Sequence, residues 1–281
     1  MILDLLSALM RGADKQRLTQ FKPPSLVDVT ATKNLLINFE HYQSYCALVD
    51  WEKVSRLHPL YLQVQSLSLQ MLCLADKHNP FPLLGLVHIS NHVWQSADAD
   101  PHVSFSLRAE LGELKAHAKG WVVDVIVNGD QQGKFVYRAV GKYLIRINAP
   151  HVARKKRKDQ EQRQPFWENY QQVAQWRIPD NIGRKYAKVS HDYNPIHLSA
   201  ISAKLFGFKK AIAHGMWSLA KCYSQLATDK QFSGDIQLAC EFLKPILLPA
   251  EVVVLKDSEG EGDQFTLLNG DLSQPHIRGS F

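Results

Sequence analysis

An α+β fold is predicted for this chain by three observations: a helical stripe of apolar residues followed by several strand-like segments, the return of that same order further along, and a polar, aperiodic stretch between the two copies. These set the expected boundaries at residues 1–150 for a first unit, 151–165 for a basic linker and 166–281 for a second unit.

In the first unit, Leu60, Val64, Leu67, Met71 and Leu74 fall on one helical face. Leu62, Leu69 and Leu72 make the other faces apolar too, so a buried helix is expected over 60–74. Val103, Phe105, Leu107 and Ala109 alternate with Ser104, Ser106 and Arg108, the period-2 mark of a half-buried strand. The segment 121–127 is rich in β-branched residues and runs into Asn128-Gly129, which predicts a hairpin turn there, with the return strands over 134–147. The second unit repeats the order. Met216, Leu219, Ala220, Tyr223, Leu226 and Ala227 form a helical stripe. Strand segments then follow at 236–243, 252–255 and 264–268, with a last one running to Phe281. Gly260-Glu-Gly262 and Asn269-Gly270 mark turns between them. The two helix starts are expected to correspond, His58-Pro59 against His214-Gly215.

At 281 residues, with 45% hydrophobic and 21% charged content, the chain can bury two modest cores and is expected to be soluble. Its net charge of +6 suits an anionic ligand without demanding nucleic acid. Cys46, Cys73, Cys222 and Cys240 include no C-x-x-C pair, so neither a zinc site nor a disulfide framework is expected, only reduced core thiols. Residues 1–11 are apolar but lack a basic leader and contain Asp4, and no apolar run reaches membrane-spanning length. A cytoplasmic protein without a membrane partner is expected, its first residues packed on the body. The stretch from His151 through Arg154, Lys155, Lys156, Arg157 and Lys158 to Pro165 is expected to be a solvated connector, with a landing surface for a phosphate-rich carrier as the functional alternative. It lacks interleaved aromatic residues, which argues against nucleic acid.

The chemistry concentrates in residues 186–217. Asp192, Asn194, Pro195 and His197 form one tight cluster, and His214-Gly215 opens the second helical stripe. Asp is ionised near neutral pH and His can donate or accept, so the two can hold a water molecule and move its proton. Pro195 stiffens the backbone between them, and Asn194 is expected to hold the loop by local hydrogen bonds. Gly215 stands where the unpaired N–H groups of a helix start would meet a developing oxyanion; close packing is the plainer alternative for this glycine. His214 would line the pocket or bond to nearby backbone. Lys209 and Lys210 could meet carrier phosphates.

Asp192-Tyr-Asn194-Pro195-Ile-His197 together with Ile212-Ala-His214-Gly215-Met resembles the signature of the MaoC-like dehydratases, (R)-specific enoyl thioester hydratases of the hot-dog fold. Phe81-Pro82-Leu83-Leu84-Gly85-Leu86-Val87-His88 is similar to a stretch in members with two hot-dogs. One position departs: His191 stands where the family has glycine, and His is among the few other residues that adopt positive φ. The resemblance implies two tandem hot-dog folds fused as a pseudo-dimer, the first without the motif and so a single site per chain. It implies Asp192 and His197 as catalytic residues, Gly215 and His214 against the thioester, and Asn194 and Pro195 in support, with no cofactor and no metal. The reaction implied is reversible hydration of a trans-2-enoyl thioester to the (R)-3-hydroxyacyl thioester, carried on coenzyme A or an acyl carrier protein. A non-catalytic acyl-thioester binding module and a hot-dog thioesterase are the competing readings. Further association into a homo-oligomer is left open.

Overall fold

The computed structural model describes residues 11–53, 56–152, 167, 169–228, 234–257 and 263–281. The first half comprises α1 (Lys15–Leu18), β1 (Thr30–Leu35), α2 (Phe39–Val49), α3 (Tyr61–Gln65), α4 (Leu67–Ala75), β2 (Val87–Gln95), β3 (Phe105–His117), β4 (Gly120–Gln131) and β5 (Lys134–Arg146). The second comprises β6 (Tyr170–Ile178), α5 (Ile182–Ser190), α6 (Pro195–Leu198), α7 (Ala200–Lys204), α8 (Gly215–Leu226), β7 (Ile236–Phe242), β8 (Ala250–Asp257), β9 (Gln264–Asn269) and β10 (Pro275–Ser280).

The strands form one antiparallel sheet in the order β1-β3-β4-β5-β2-β7-β10-β9-β8-β6. Its middle is the β2–β7 pairing, in register from Ser90 opposite Glu241 to Gln95 opposite Ile236. Five strands lie on either side, and their order reads outward the same way in both halves, the arrangement expected of two fused hot-dogs. The apolar helices α3, α4 and α8 face the sheet. Tyr45, Tyr61, Val93, Trp217, Tyr223, Leu238 and Phe265 belong to one buried cluster spanning both halves. Trp217 Nε1–H donates to the Leu48 carbonyl (2.8 Å), and Lys221 Nζ reaches Asp50 (2.6 Å), so α8 is tied to α2 as well.

Most expected elements are present: the alternation over 105–109, the strands beginning at 134, 236 and 264, the strand expected over 252–255 within the longer Ala250–Asp257, and the turn after Asn269. Three expectations need correction. The helix expected over 60–74 is broken at Ser66. There Ser66 N–H bonds back to the Leu62 carbonyl and its hydroxyl to the Gln63 carbonyl, while the Gln70 amide donates to both Gln63 O and Ser66 Oγ. Gln63 in turn pairs reciprocally with Asn91 of β2, at 2.7 and 2.8 Å. The polar groups inside the stripe satisfy one another by bending it.

Asn128-Gly129 is not the hairpin turn. β4 continues to Gln131, and the turn is Gln132-Gly133, with φ of 51° and 80°, a two-residue loop whose positive angles match strand twist. Gly129 instead sits in β4 opposite a bulge in β5, where Val136 is the extra residue; a Cβ on Gly129 would lie 3.1 Å from both Leu107 and Tyr137 side chains. The helix starts also differ: His214 is the N-cap of α8, whereas α3 is capped by Leu60 and His58 precedes it by two residues.

His151 still docks on the first half, donating from Nε2 to the Gly120 carbonyl (2.7 Å) with its ring against Trp121. The expected linker from residue 153 on, with its basic cluster, lies outside the described residues, as do residues 1–10 and the Gly260–Gly262 turn. The four cysteines are free and buried, and no described helix is long and apolar enough to cross a membrane.

Two tests follow from this architecture. A chain of residues 166–281 alone would present β7 without its partner strand and uncover the α8 face, so light scattering should find it aggregated or self-associated. A well-behaved monomer would refute the shared core. The second concerns His58, fully buried, its Nδ1 accepting from Leu60 N–H (3.1 Å) and its Nε2–H facing the Ala220 carbonyl (3.3 Å). Burial pushes its pKa down to about 3. Above pH 6.5 both folded and unfolded states are neutral there. As pH falls from 6.5 toward 3 the unfolded state takes up the proton first, and stability drops by up to about 1.4 kcal/mol per pH unit. Urea melts of His58→Gln at pH 7 and pH 5 should show a shallower acid loss than the parent; an identical slope would contradict this.

Candidate active site

The site is built outward from the end of α5. His191 closes that helix in the left-handed region (φ 58°, ψ 17°), its N–H bonded to the Ala187 carbonyl (2.9 Å). The expectation that His at this position takes a positive φ is met. The chain then reverses. Asp192 N–H donates to Ser190 Oγ (3.2 Å), and Asp192 Oδ1 accepts from Asn194 N–H (3.2 Å). Asn194 caps the one-turn helix α6, accepting from Ile196 N–H (3.4 Å), and Pro195 occupies the first helical position, where a missing N–H costs nothing. Asn194 and Pro195 thus shape the loop by local backbone contacts.

One turn of helix carries His197 inward, where it is buried. A residue with no part in the sequence reading makes this possible: a Cβ on Gly183 of α5 would lie 2.0 Å from the His197 carbonyl oxygen, so α5 and α6 touch backbone to backbone. His214 stacks on His197, ring centroids 3.7 Å apart and planes 26° apart. Asp192, His197 and His214 present ligating-type atoms all within 4.8 Å of one another.

Hydrogen-bond partners assign the tautomers. His197 Nδ1 lies 2.9 Å from the Ile212 carbonyl, so Nδ1 carries the hydrogen and Nε2 the lone pair. His214 Nε2 lies 3.1 Å from the Asp192 carbonyl and 3.8 Å from Asp192 Oδ2, so it donates toward Asp192, and its Nδ1 keeps a buried lone pair unpaired among the described residues. His214 thus bonds to nearby backbone while its ring lies against His197. Burial lowers the pKa of both imidazoles; the neighbouring His197 lowers His214 further, while Asp192 opposes the shift in each. Both rings are therefore neutral at pH 7. A metal ion fits this trio poorly. Each imidazole would need the ion in its own plane about 2 Å from nitrogen, and stacked rings share no such nearby point.

Gly215 is the first residue of α8, whose opening N–H groups have no partner within the helix. Close packing also requires glycine: a Cβ would lie 2.9 Å from the Phe242 ring. That ring leads into the first half. His88 of β2 lies 4.9 Å from Phe242 and stacks on Tyr143 of β5 at 4.5 Å. His88 Nε2 and Tyr186 Oη are buried without hydrogen-bond partners among the described residues. Burial pushes His88 down to about 4, and the Asp192 charge reaches His88, Tyr143 and Tyr186 alike. His88 and Tyr143 were not expected as site residues; the similarity of the stretch ending in His88 was the available signal. His41 of α2 donates from Nε2 to the Val189 carbonyl (2.9 Å) and accepts at Nδ1 from the Tyr61 hydroxyl (2.8 Å), fixing the last turn of α5 just before the reversal. Lys209 and Lys210 are exposed on the segment leading to His214.

Comparison with known proteins agrees with this geometry. The family model described as MaoC like domain matches residues 159–278. The 3-hydroxyacyl-thioester dehydratase X of Mycobacterium tuberculosis is 31% identical over 199 residues, spanning 70% of this chain and 69% of that protein. The crystal structure of HtdX from the same organism superposes with a TM-score of 0.75 at 26% identity, over 90% of this chain and 98% of that one. A MaoC-like dehydratase from Phytophthora capsici shares the fold, with a TM-score of 0.70 at 16% identity over 95% and 96% of the two chains. Another Mycobacterium tuberculosis protein described as a double hot-dog fold gives 0.60 at 6% identity over 92% and 96%. The chain belongs to the MaoC-like dehydratase family, in its double hot-dog form.

Proposed function

We propose that this protein reversibly adds water across the double bond of a trans-2-enoyl thioester, giving the 3-hydroxyacyl thioester, and that Asp192 and His197 carry out the chemistry. The observation that carries the reading is the neutral His197 with its Nε2 lone pair beside the Asp192 carboxylate and close to the start of α8. The (R) configuration is what the family resemblance implies.

In hydration, a water molecule lies between Asp192 and His197. Its oxygen attacks C3 as one proton passes to His197 Nε2, and the second hydrogen is held by the Asp192 carboxylate. The π electrons of the double bond move to the thioester oxygen, forming an enolate. Gly215 N–H, at the positive end of a 12-residue helix, stabilises that charge; one such donor is commonly worth about 3 kcal/mol in a transition state. The enolate collapses and C2 takes the proton from the His197 imidazolium, which restores neutral His197. Asp192, nearby and negative, lowers the energy of that transient imidazolium. Dehydration is the same path reversed. His214 acts through its bond to the Asp192 carbonyl as a positioning residue.

A thioesterase would direct the water at the carbonyl carbon, beside the Gly215 N–H, and would release free thiol. A pure binding module would turn over neither bond and would have little use for a proton-transfer pair in a buried site. Coenzyme A and an acyl carrier protein both remain carriers consistent with the site.

Asp192→Asn and His197→Ala should each lower kcat by about 100-fold or more with circular dichroism unchanged, and the double variant should be hardly worse than either. Enoyl absorbance of crotonyl-CoA measures the reaction, and a thiol reagent separates hydration from hydrolysis. Retention of more than about a tenth of kcat in either single variant would remove the assignment. Because burial keeps His197 deprotonated, the acid limb of kcat/KM for the parent should fall below pH 6.5. An acid limb centred above 7 would show that another group accepts the proton.

A further inference from the structure

Residues 181–210, which build the turn and short helices around Asp192 and His197, contain six cations and one acid. The cations are Arg184, Lys185, Lys188, Lys204, Lys209 and Lys210, all exposed, and the acid is Asp192 itself. Among them α7 presents Ile201 and Leu205, 81% and 82% exposed and one helical turn apart, followed by the exposed Phe206. The helix is firmly seated. Ser199 caps it at Ser202 N–H (3.0 Å), Ser202 Oγ donates to the Pro195 carbonyl (2.7 Å), and Arg184 donates to the Leu198 carbonyl (3.0 Å). The backbone that carries the exposed aliphatic pair is therefore anchored beside α6, with Ile201 four residues beyond His197.

Free coenzyme A would use the cations but has no need of two solvated aliphatic side chains on an outer helix face. A protein helix with carboxylates flanking an apolar stripe satisfies both features at once. We propose that α7 and the surrounding basic rim form the docking surface for a small acidic carrier protein that presents the acyl thioester on a flexible arm. The inference rests on the thioester hydratase reading and names its carrier. Electrostatics would bring the carrier to the rim, and Ile201 with Leu205 would hold it while the arm enters toward His197.

The test uses the full chain and two probes, crotonyl-CoA and a bacterial acyl carrier protein charged with a crotonyl group. Ile201→Ser combined with Leu205→Ser should raise KM for the crotonyl-carrier protein by about tenfold or more, leaving kcat and the crotonyl-CoA kinetics within about twofold. Lys204→Glu should raise the same KM at low salt, the effect shrinking as salt is added. Direct titration with the fluorescently labelled carrier protein, read by anisotropy, should show the same losses and does not depend on turnover. A parent that binds the carrier through this patch yet hydrates neither probe would refute the hydratase reading and leave the docking surface standing. Equal loss with both probes, or loss with neither, would overturn the docking surface. So would unchanged carrier kinetics accompanied by lost binding to phosphatidylglycerol vesicles, which makes the patch a membrane contact. A fall from dimer to monomer by light scattering with unchanged carrier kinetics would likewise overturn it, making the patch a contact between copies.

Discussion

The antiparallel ladder between β2 and β7 is the contact on which the rest of the molecule depends. Each half contributes five strands and an apolar helical segment, and neither sheet is closed at its inner edge without the other. Joining those edges satisfies two rows of backbone groups and brings both helical faces into one buried cluster. The same ladder brings β2, and with it His88, alongside β7, whose last residue Phe242 packs against Gly215. The first half therefore borders the second half's candidate site although it lacks the motif.

Desolvation governs the electrostatics of that site. Two stacked imidazoles could not both be charged at 3.7 Å in a buried corner, and burial keeps both neutral. Each ring spends one nitrogen on a backbone carbonyl, which decides where the remaining lone pair resides. The carbonyls of Ile212 and Asp192 thus select tautomers much as a carboxylate would, without adding a second negative charge beside Asp192. Asp192 stays partly open, its side chain 38% exposed, in contrast to the two buried rings.

A comparison of the two halves shows what was kept and what was replaced. Both α2 and α5 end in a left-handed residue, Asp50 at φ 55° and His191 at φ 58°. The residue after the turn is Trp51 in one half and Asp192 in the other. Trp51 is buried, with its ring against His58 and Tyr223, so the same turn serves packing in the first half and presents a carboxylate in the second. The cross-link from His41 to Val189 places the two turns' helices against one another, and Trp217, bonded to Leu48, ties α8 to the first of them.

Periodicity and local backbone chemistry were sufficient for much of this in the sequence alone. Alternation at Phe105, Leu107 and Ala109, the α8 stripe, the local hydrogen bonding of Asn194 before His197, and the tolerance of His191 for positive φ all depend on neighbours within a few positions. The tertiary structure decided whatever depended on distant partners. Gln63 and Gln70 break a helix because Asn91 and Ser66 are there to pair with them. Gly129 remains in a strand because Leu107 and Tyr137 press on it, and the turn moves to Gln132-Gly133. Gly183, His41 and Tyr143 carried no legible role, and His88 only the similarity of its stretch, since each acts on a residue of another element: Gly183 and His41 support the turn at Asp192, while His88 and Tyr143 feel its charge. Sequence spacing reports which groups share a turn or a face; which groups meet across the two halves is determined by the sheet that joins them.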